Sequence, residues 1–281
     1  MIINFKTLPY FEFNQILILF FLLSLLIGSF LNVVIYRLPE MIFIDWRQQA
    51  REFLDLESQK EKSISLCMPR SHCRQCLKTI RFWENIPVLS WLLLKGKCSH
   101  CKIEISIRYP LIEILTAGLS VLIGGLYGLT VEGLLMLIIT YYLIVIALID
   151  FDHQIIPDCL VLPLLWIILI ATSLGYLNTP SDAILGAVAG YLSLWSVYWV
   201  YKICRNQEGL GHGDFKLMAV FGALLGAPML VSMITISAIL GLLIALPMLL
   251  KKADFQEAIP FGPAIILSGW VHLLASGPFI F

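Results

Sequence analysis

The sequence predicts an all-α polytopic membrane protein: about eight transmembrane helices, with a small zinc-stapled cytoplasmic domain between the first two. Three observations support this fold class. Of the 281 residues, 59% are hydrophobic and only 14% are charged, with a mean hydropathy of +0.88, whereas soluble domains carry roughly 25% charged residues. Apolar stretches of about bilayer-spanning length recur along the chain. The one long polar segment contains two Cys-x-x-Cys pairs. These features exclude an ordinary soluble enzyme.

The apolar stretches predict the membrane helices one by one. The first has spanning length and lacks a small-residue cleavage site, so we expect an anchoring helix and not a cleaved signal peptide. The sixth is short, and its limits are the least well defined. The eight predicted helices cover residues 14–36, 110–128, 132–150, 155–177, 181–203, 216–227, 229–250 and 260–276.

The distribution of basic residues predicts the orientation. Of the 19 Lys and Arg residues, 13 lie in the block 37–108. If the N-terminus is outside and the eight helices alternate in direction, only Lys6 of the 19 falls on the outer face. Basic residues mark the cytoplasmic side, so we expect that block, the turn 151–157, the loop 204–215 and Lys251–Lys252 to be cytoplasmic. Topology accounts for these charges, and we therefore expect membrane lipid around the chain and no nucleic-acid partner.

Four of the seven cysteines predict a metal site in the polar block. The pairs Cys73–Cys76 and Cys98–Cys101 are separated by 21 residues, a pattern typical of tetrahedral zinc. Disulfides are disfavoured in the reducing cytoplasm; the alternative is two Cys-x-x-Cys turns without metal. A closed four-thiolate site leaves no open coordination position, so the zinc is expected to be structural.

Other residues near this pattern have simpler interpretations. Two histidines adjoin the cysteine pairs and offer substitute ligands, although four thiolates already complete the shell. We interpret the remaining three cysteines as ordinary small apolar residues. These five are His72, His100, Cys67, Cys159 and Cys204.

Two aspartates fall at the same predicted membrane boundary. Asp150 ends the third predicted helix, and Asp214 stands in "EGLGHGDFKLMAV", just before the sixth. Ionisable groups within membrane helices are costly and are functional candidates by default. Two facing carboxylates share one proton. One can then accept a proton from water while the other hydrogen-bonds a substrate carbonyl, as aspartic proteolysis requires.

Helix polarity predicts how that proton is distributed. The C-terminal end of a helix disfavours an anion and the N-terminal end favours one. We therefore predict that Asp150 holds the proton and that Asp214 is the ionised base. Gly211 and Gly213 are expected to give the backbone unusual dihedral angles and to let an extended peptide approach closely.

The neighbouring polar residues have competing interpretations. Asp214 itself also fits a helix cap, and Asp158, after Pro157, is predicted to be a helix N-cap. Glu113 is left open between an ordinary residue at the turn into the second predicted helix and a substrate or pairing role. The others are expected to be solvated turn residues (Asp152 and His153), a loop residue (His212) and a hydrogen-bonded packing residue (His272).

Taken together, these motifs resemble those of the bacterial prepilin peptidases, or type IV leader peptidases, of the GxGD aspartyl protease group. The resemblance spans nearly the whole chain and includes both Cys-x-x-Cys pairs in the family's order. Arg74 is a departure, since members often carry proline there. The matching segments are "GSFLNVVIYRLP" (28–39), "NIPVLSWLLLKGKCSHCKIEISIRYPLIE" (85–113), "LIDFDHQIIPD" (148–158) and "GLGHGDFKL" (209–217).

The resemblance implies a function. Family members cleave the leader from type IV prepilins and type II secretion pseudopilins at the cytoplasmic face of the inner membrane. Members with the cysteine-bearing loop then methylate the new N-terminal residue with S-adenosylmethionine. Asp150 and Asp214 match the catalytic pair, and Cys73, Cys76, Cys98 and Cys101 match the metal ligands. The sequence does not identify the methyl-donor contacts.

The domain organisation follows from this reading. We expect a first transmembrane helix at 1–36, a methyltransferase-associated zinc domain at 37–108 and a transmembrane protease domain at 109–281. Two alternatives remain open. One is a protease without methylation, whose zinc loop only docks partners. The other is an ion-coupled transporter with the aspartates as a proton relay, which predicts inverted repeats; the sequence shows no convincing repeat.

Overall fold

A computed structural model describes residues 10–57, 64–207, 209–250 and 260–276 of the chain. Throughout these residues the chain forms helices joined by loops and turns, with two isolated β-bridges and no strand. The all-α fold class is confirmed. Lys6 and Lys251–Lys252, which contribute to the predicted orientation, lie outside the described residues.

The described helices follow the predicted apolar stretches in order. Two short 3-10 turns, Phe82–Asn85 and Ala227–Met229, separate some of them. The α-helices are α1 Tyr10–Phe53, α2 Leu89–Leu93, α3 Arg108–Tyr127, α4 Val131–His153, α5 Asp158–Ser173, α6 Pro180–Arg205, α7 His212–Leu225, α8 Leu230–Leu250 and α9 Gly262–Ser276.

Five segments of the described chain are long and apolar enough to cross a bilayer. They lie in α1, α3, α4 and α6 and in Ala227–Leu246, which contains most of α8. The other three helices at predicted positions, α5, α7 and α9, have 16, 14 and 15 residues, fewer than the ~20 residues that a perpendicular crossing needs. A helix therefore occupies each of the eight predicted positions, and eight crossings remain a prediction.

The first helix continues well beyond its predicted end at residue 36. It runs to Phe53 with Pro39 inside it, and its 44 residues correspond to about 66 Å. The apolar pattern stops at Arg37, but this side chain is buried. Its guanidinium donates to the carbonyl oxygens of Ser65, Leu66 and Pro69 at 3.0, 3.1 and 2.7 Å. A charge whose hydrogen bonds are satisfied within the protein does not end a helix, so α1 continues past the predicted end of the first membrane span.

The chain forms two compact units, Met1–Gly128 and Leu129–Phe281. In the first unit, α1 packs along α3. In the second, α7 lies in the interior and packs against α5, α6 and α9, while α9 also contacts α4 and α8. Phe215 and Phe221 of α7 are fully buried.

Two glycines let α7 approach α6 closely. A Cβ at Gly186 of α6 would overlap the carbonyl oxygen of Gly222 of α7, and a Cβ at Gly222 would overlap that of Gly186. Only residues without side chains permit this backbone approach. The close packing of α6 and α7 fixes the helix that carries Asp214.

Candidate active site and metal centre

Asp150 lies in the last turn of α4, and its side chain is only 5% exposed. Its Oδ2 accepts a hydrogen bond from the backbone N–H of Gly262 at 2.9 Å. Gly262 is the first residue of α9, where backbone N–H groups have no partner within the helix. The carboxylate at the end of α4 therefore meets the beginning of α9.

Asp214 is the third residue of α7 and is 8% exposed. Its own N–H donates to the carbonyl oxygen of Gly211 at 3.2 Å, and its carboxylate accepts from the backbone N–H of Gly211. Gly211 is the N-cap residue of α7, and Asp214 accepts its N–H from the third helical position. This contact holds the carboxylate at the helix N-terminus, where an anion is favoured, and is compatible with a chemical role.

The structure brings the two predicted site aspartates together. They come from different helices, 64 positions apart in the chain, and Asp150 lies near enough to Asp214 for their charges to interact. Both side chains are buried. Two like charges in such a place strongly favour a state in which the pair carries one proton. This is the electrostatic requirement of acid–base proteolysis.

In the "GLGHGD" motif, Gly211 and Gly213 have ordinary backbone angles, and Gly213 is required because a side chain there has no room. Gly211 has φ −76° and ψ 142°, and Gly213 lies inside α7 without a positive φ, so the expectation of unusual dihedral angles was wrong. A Cβ at Gly213 would instead lie 2.7 Å from Cβ of Ile156 and 3.3 Å from its Cδ1. The same Cδ1 lies 3.3 Å from where a Cβ at Gly262 would be. Ile156 therefore fills the space between the glycine beside Asp214 and the glycine bonded to Asp150.

Asp158 is not the helix cap that the sequence predicts. Pro157 occupies the N-cap position of α5 and Asp158 is the first helical residue. Its carboxylate accepts two hydrogen bonds from Nζ of Lys216 on α7, at 2.6 and 2.8 Å. Lys216 lies 58 positions away, so no local pattern indicates the pair.

Three neighbouring residues also differ from their sequence-based interpretations in part. Asp152 and His153 are exposed, as expected, but they belong to the last turn of α4, and the turn begins at Gln154 with φ 55°. His212 begins α7 and is not a loop residue. Its ring contacts that of Tyr198, with centroids 5.1 Å apart.

His272 is the hydrogen-bonded packing residue that the sequence predicts. It is buried in α9. Its Nδ1 is 2.8 Å from the carbonyl oxygen of Ser268, and its Nε2 is 2.8 Å from the hydroxyl of Ser232. The first contact lies within α9, and the second joins α9 to α8.

Glu113 pairs with a backbone amide in the first compact unit. It is buried near the beginning of α3, and its Oε2 accepts from the N–H of Val88 at 2.7 Å. A Cβ at Gly28 of α1 would lie 2.8 Å from Cα of Glu113. Of the interpretations left open, the contact supports a pairing role, in which Glu113 holds the "NIPV" loop against α3.

The four cysteines of the predicted metal site converge. The Sγ atoms of Cys73, Cys76, Cys98 and Cys101 all lie within 4.8 Å of one another, and those of Cys73 and Cys101 are 3.7 Å apart. Tetrahedral zinc with Zn–S distances of about 2.3 Å places its sulfurs roughly 3.8 Å apart. The donor set therefore fits a tetrahedral metal ion that prefers thiolates.

The two cysteine pairs are held by the same local backbone geometry. In each, the first cysteine donates its N–H to the carbonyl five residues on and accepts from the N–H four residues on. These distances are 2.9 and 2.9 Å at Cys73 and 2.8 and 3.1 Å at Cys98. The backbone N–H groups of Cys76 and Gln75 lower the pKa of the Cys73 thiol to about 6, which favours the thiolate that binds metal.

Arg74, inside the first cysteine pair, links this site to the helices of its unit. The guanidinium lies 3.9 Å from the ring centroid of Tyr36 and donates to Oη of Tyr109 at 2.6 Å. Tyr36 belongs to α1 and Tyr109 to α3. Proline has neither a cationic group nor a donor, so arginine gives the cysteine-bearing segment a contact with both helices.

The remaining candidates lie outside the cysteine cluster. His72 places Nδ1 3.0 Å from the carbonyl oxygen of Arg70, and neither His72 nor His100 belongs to the candidate metal group of the described residues. The other three cysteines, Cys67, Cys159 and Cys204, are exposed and belong to no such group.

Comparison with known proteins is consistent with this arrangement. The Bacterial Peptidase A24 N-terminal domain matches residues 22–126, and the Type IV leader peptidase family matches residues 137–246. The chain belongs to the type IV leader peptidase family. The resemblance inferred from the motifs is confirmed, and with it the enzyme class, an aspartic peptidase. Family membership disfavours the transporter alternative.

Named relatives cover most of the chain. A Prepilin leader peptidase/N-methyltransferase of Stutzerimonas stutzeri is 48% identical over 254 residues, 90% of this chain and 88% of the relative. Proteins of the same name from Pseudomonas aeruginosa and Aeromonas hydrophila are 48% identical over 255 residues and 43% identical over 270 residues. They cover 90% and 95% of this chain, and 88% and 92% of their own lengths. No solved structure matches the chain.

Proposed function

We propose that this protein cleaves the leader peptides of type IV prepilins and type II secretion pseudopilins, and then N-methylates the new N-terminal residue. The observation that carries the proposal is the buried pair Asp150 and Asp214, on separate helices of a type IV leader peptidase family chain and close enough for their charges to interact. The names of the relatives supply the substrate class and the second activity.

Cleavage needs one ionised and one protonated carboxyl. The ionised member takes a proton from water as the water oxygen bonds to the scissile carbonyl carbon, and the protonated member gives its proton to the carbonyl oxygen. The first carboxyl then protonates the leaving nitrogen as the C–N bond breaks. The second takes back a hydroxyl proton, so the acid product forms and Asp150 and Asp214 again share one proton.

We place this chemistry at the cytoplasmic boundary of the bacterial inner membrane. Asp150 lies in the last turn of α4 and Asp214 in the first turn of α7. The basic residues of these and the adjoining segments are Lys202, Arg205 and Lys216. Basic segments favour the cytoplasmic side. A prepilin whose apolar helix is inserted in the bilayer presents its leader junction at this depth, so the membrane itself supplies much of the orientation.

In this proposal, Cys73, Cys76, Cys98 and Cys101 bind one structural zinc ion. The donor set and the 3.7 Å sulfur separation fit the ion, and a shell of four thiolates leaves no position for substrate. The zinc stabilises the domain at 37–108, and the protease domain occupies 109–281. S-adenosylmethionine supplies the methyl group when it is bound.

One assay tests the whole proposal. The purified chain in lipid is incubated with a prepilin-like substrate and isotope-labelled S-adenosylmethionine, and the products are resolved by mass. We expect a shortened product that carries one labelled methyl group. A shortened product that is never methylated supports the protease-only alternative. An intact substrate with fully folded enzyme contradicts the proposal.

A further inference from the structure

The beginning of α9 carries a contact that the leader peptidase match does not include, because that match ends at residue 246. We propose that Gly262 is a positioning residue for Asp150. Its backbone N–H holds Oδ2 of Asp150 and stabilises the ionised form of that carboxyl. The inference rests on the proposed function, since it assigns Asp150 to the catalytic pair.

The first turn of α9 leaves one backbone donor for this purpose. Ala264 and Ile265 both donate their N–H groups to the carbonyl oxygen of Phe261, each at 3.1 Å. Pro263 has no N–H. The N–H of Gly262 is therefore the remaining donor of this turn, and it bonds to Asp150 at 2.9 Å. The sequence "FGPA" aims a single amide at the carboxylate.

The contact also requires glycine at this position. A Cβ at residue 262 would lie 2.6 Å from Oδ2 and 3.1 Å from Cγ of Asp150, and 3.3 Å from Cδ1 of Ile156. The first of these distances is shorter than a real Cβ contact. Any side chain would displace the carboxylate that the amide holds.

The electrostatic consequence is that two helix ends act on Asp150 with opposite sign. Its own helix, α4, presents its C-terminal end, which disfavours an anion, whereas α9 presents its N-terminal end, which favours one. The helix-polarity prediction that Asp150 holds the proton considered α4 alone.

Within the residues that the structure describes, few charged groups lie on the helices around this amide. The first turn of α9, from Gly262 to Ile265, contains no titratable residue. The titratable groups of α7 are His212, Asp214 and Lys216. The ring of His212 packs against Tyr198 and Phe215, and Lys216 is paired with Asp158 of α5. On α4 itself, Asp152 and His153 are exposed, where solvent screens them.

The first test removes the N–H without adding a side chain. Glycolic acid in place of Gly262 turns the amide between residues 261 and 262 into an ester, in the full-length enzyme in lipid nanodiscs. We expect kcat for leader cleavage to fall roughly 10-fold and the acid limb of the pH–activity profile to move up by about one pH unit, since the anion loses a charge-assisted hydrogen bond. KM should change little.

Gly133 provides a matched control. Its N–H also donates to a side-chain oxygen at a helix N-terminus, that of Thr130 at 3.0 Å, but at the opposite end of α4. The same ester there weakens a helix start in the same way without touching Asp150. We expect no shift of the acid limb. An equal shift in both esters, or none at residue 262, overturns the proposal.

A second measurement does not depend on activity. Gly262→Ala should lower the thermal unfolding midpoint in the wild-type background by several degrees, and by much less in an Asp150→Ala background, where the oxygen that the new Cβ meets is gone. Equal shifts in the two backgrounds would refute the contact. If the contact holds but Asp150→Asn still cleaves prepilin, then the proposed function fails instead, so the two ideas are separable.

Discussion

The cysteine site of the first compact unit and the aspartate site of the second are built in opposite ways. The four cysteines lie within residues 73–101, and each pair is shaped by hydrogen bonds between residues at most five positions apart. Asp150 and Asp214 are 64 positions apart, and a third helix, α9, completes the surroundings of Asp150. Local sequence builds the first site, whereas tertiary packing builds the second.

The two sites also differ in how deeply their side chains are buried. Among the cysteines only Cys98 is buried, while Cys101 is exposed. Both aspartates are buried, between helices whose glycines leave no room for a side chain. Substitution of one of the four cysteines should therefore act mainly by weakening metal binding. A substitution near the aspartates should affect activity by altering packing and charge, even when it removes no functional group.

The largest expected effect is the loss of either carboxylate. Asp150→Asn or Asp214→Asn nearly preserves side-chain volume, but asparagine neither accepts a proton from water nor shares one with its partner. We expect leader cleavage to fall by roughly 10³-fold or more, with zinc content unchanged. Cleavage is measured by the mass of the product and zinc by elemental analysis.

The control for this prediction is Asp152→Asn, two positions from Asp150 but exposed. It should retain most of the activity. If Asp152 proves essential and Asp150 dispensable, the wrong carboxylate has been assigned to the site.

Loss of a thiolate should instead remove the zinc and affect leader cleavage less. Replacing any one of Cys73, Cys76, Cys98 or Cys101 by serine should reduce zinc from about one ion per chain to near zero and loosen the segment around it. Methylation should suffer more than cleavage, since the aspartates lie in the other compact unit. Metal analysis, limited proteolysis and the two activity assays measure these effects.

Cys67→Ser is the matched control, since Cys67 lies in the same segment but outside the thiol cluster. This substitution should change neither the zinc content nor the susceptibility of the segment to limited proteolysis. Active wild-type enzyme that contains no zinc would remove the metal from the proposal altogether.

This contrast explains what the sequence could and could not predict. The apolar stretches identified a helix at all eight positions, and the Cys-x-x-Cys spacing identified the cysteine cluster, because both signals are local. The buried contacts of Arg37 were not predicted because its partners lie 28 to 32 positions away. The Asp158–Lys216 pair and the Gly262 amide were missed for the same reason. Each depends on a partner that only the folded chain brings near.

Gly211 and Gly213, the two glycines of "GHGD", provide a test of how tightly the aspartate site is packed. A Cβ at Gly213 would lie 2.7 Å from Cβ of Ile156, whereas a Cβ at Gly211 would meet Oδ2 of Asp214 at an ordinary 3.4 Å. Overpacking a tight site costs about 1–3 kcal/mol. We therefore expect Gly213→Ala to reduce cleavage roughly 10-fold to 100-fold, and Gly211→Ala less than about 3-fold, in steady-state assays.

Equal losses in the two variants would contradict the steric explanation. They would indicate instead that both positions serve the backbone in the same way, as an approaching peptide would require. Zinc content should stay at the wild-type level in both, because neither residue is near the cysteines in the chain.

The smallest expected effect is at a charged pair close to the site in sequence. Asp158 and Lys216 form a bidentate contact between α5 and α7, but their side chains are 56% and 31% exposed. Exposed ion pairs contribute about 0–1 kcal/mol, since solvent screens the attraction and both side chains lose freedom on pairing.

Asp158→Asn also keeps a hydrogen-bond acceptor for the lysine. We expect cleavage within about 3-fold of wild type and a slight decrease in the thermal unfolding midpoint, smaller still at high salt, where the wild-type pair is screened as well. A loss of cleavage greater than about 10-fold with an unchanged midpoint would mean that Asp158 takes part in the chemistry, and the active site would then contain a third carboxylate.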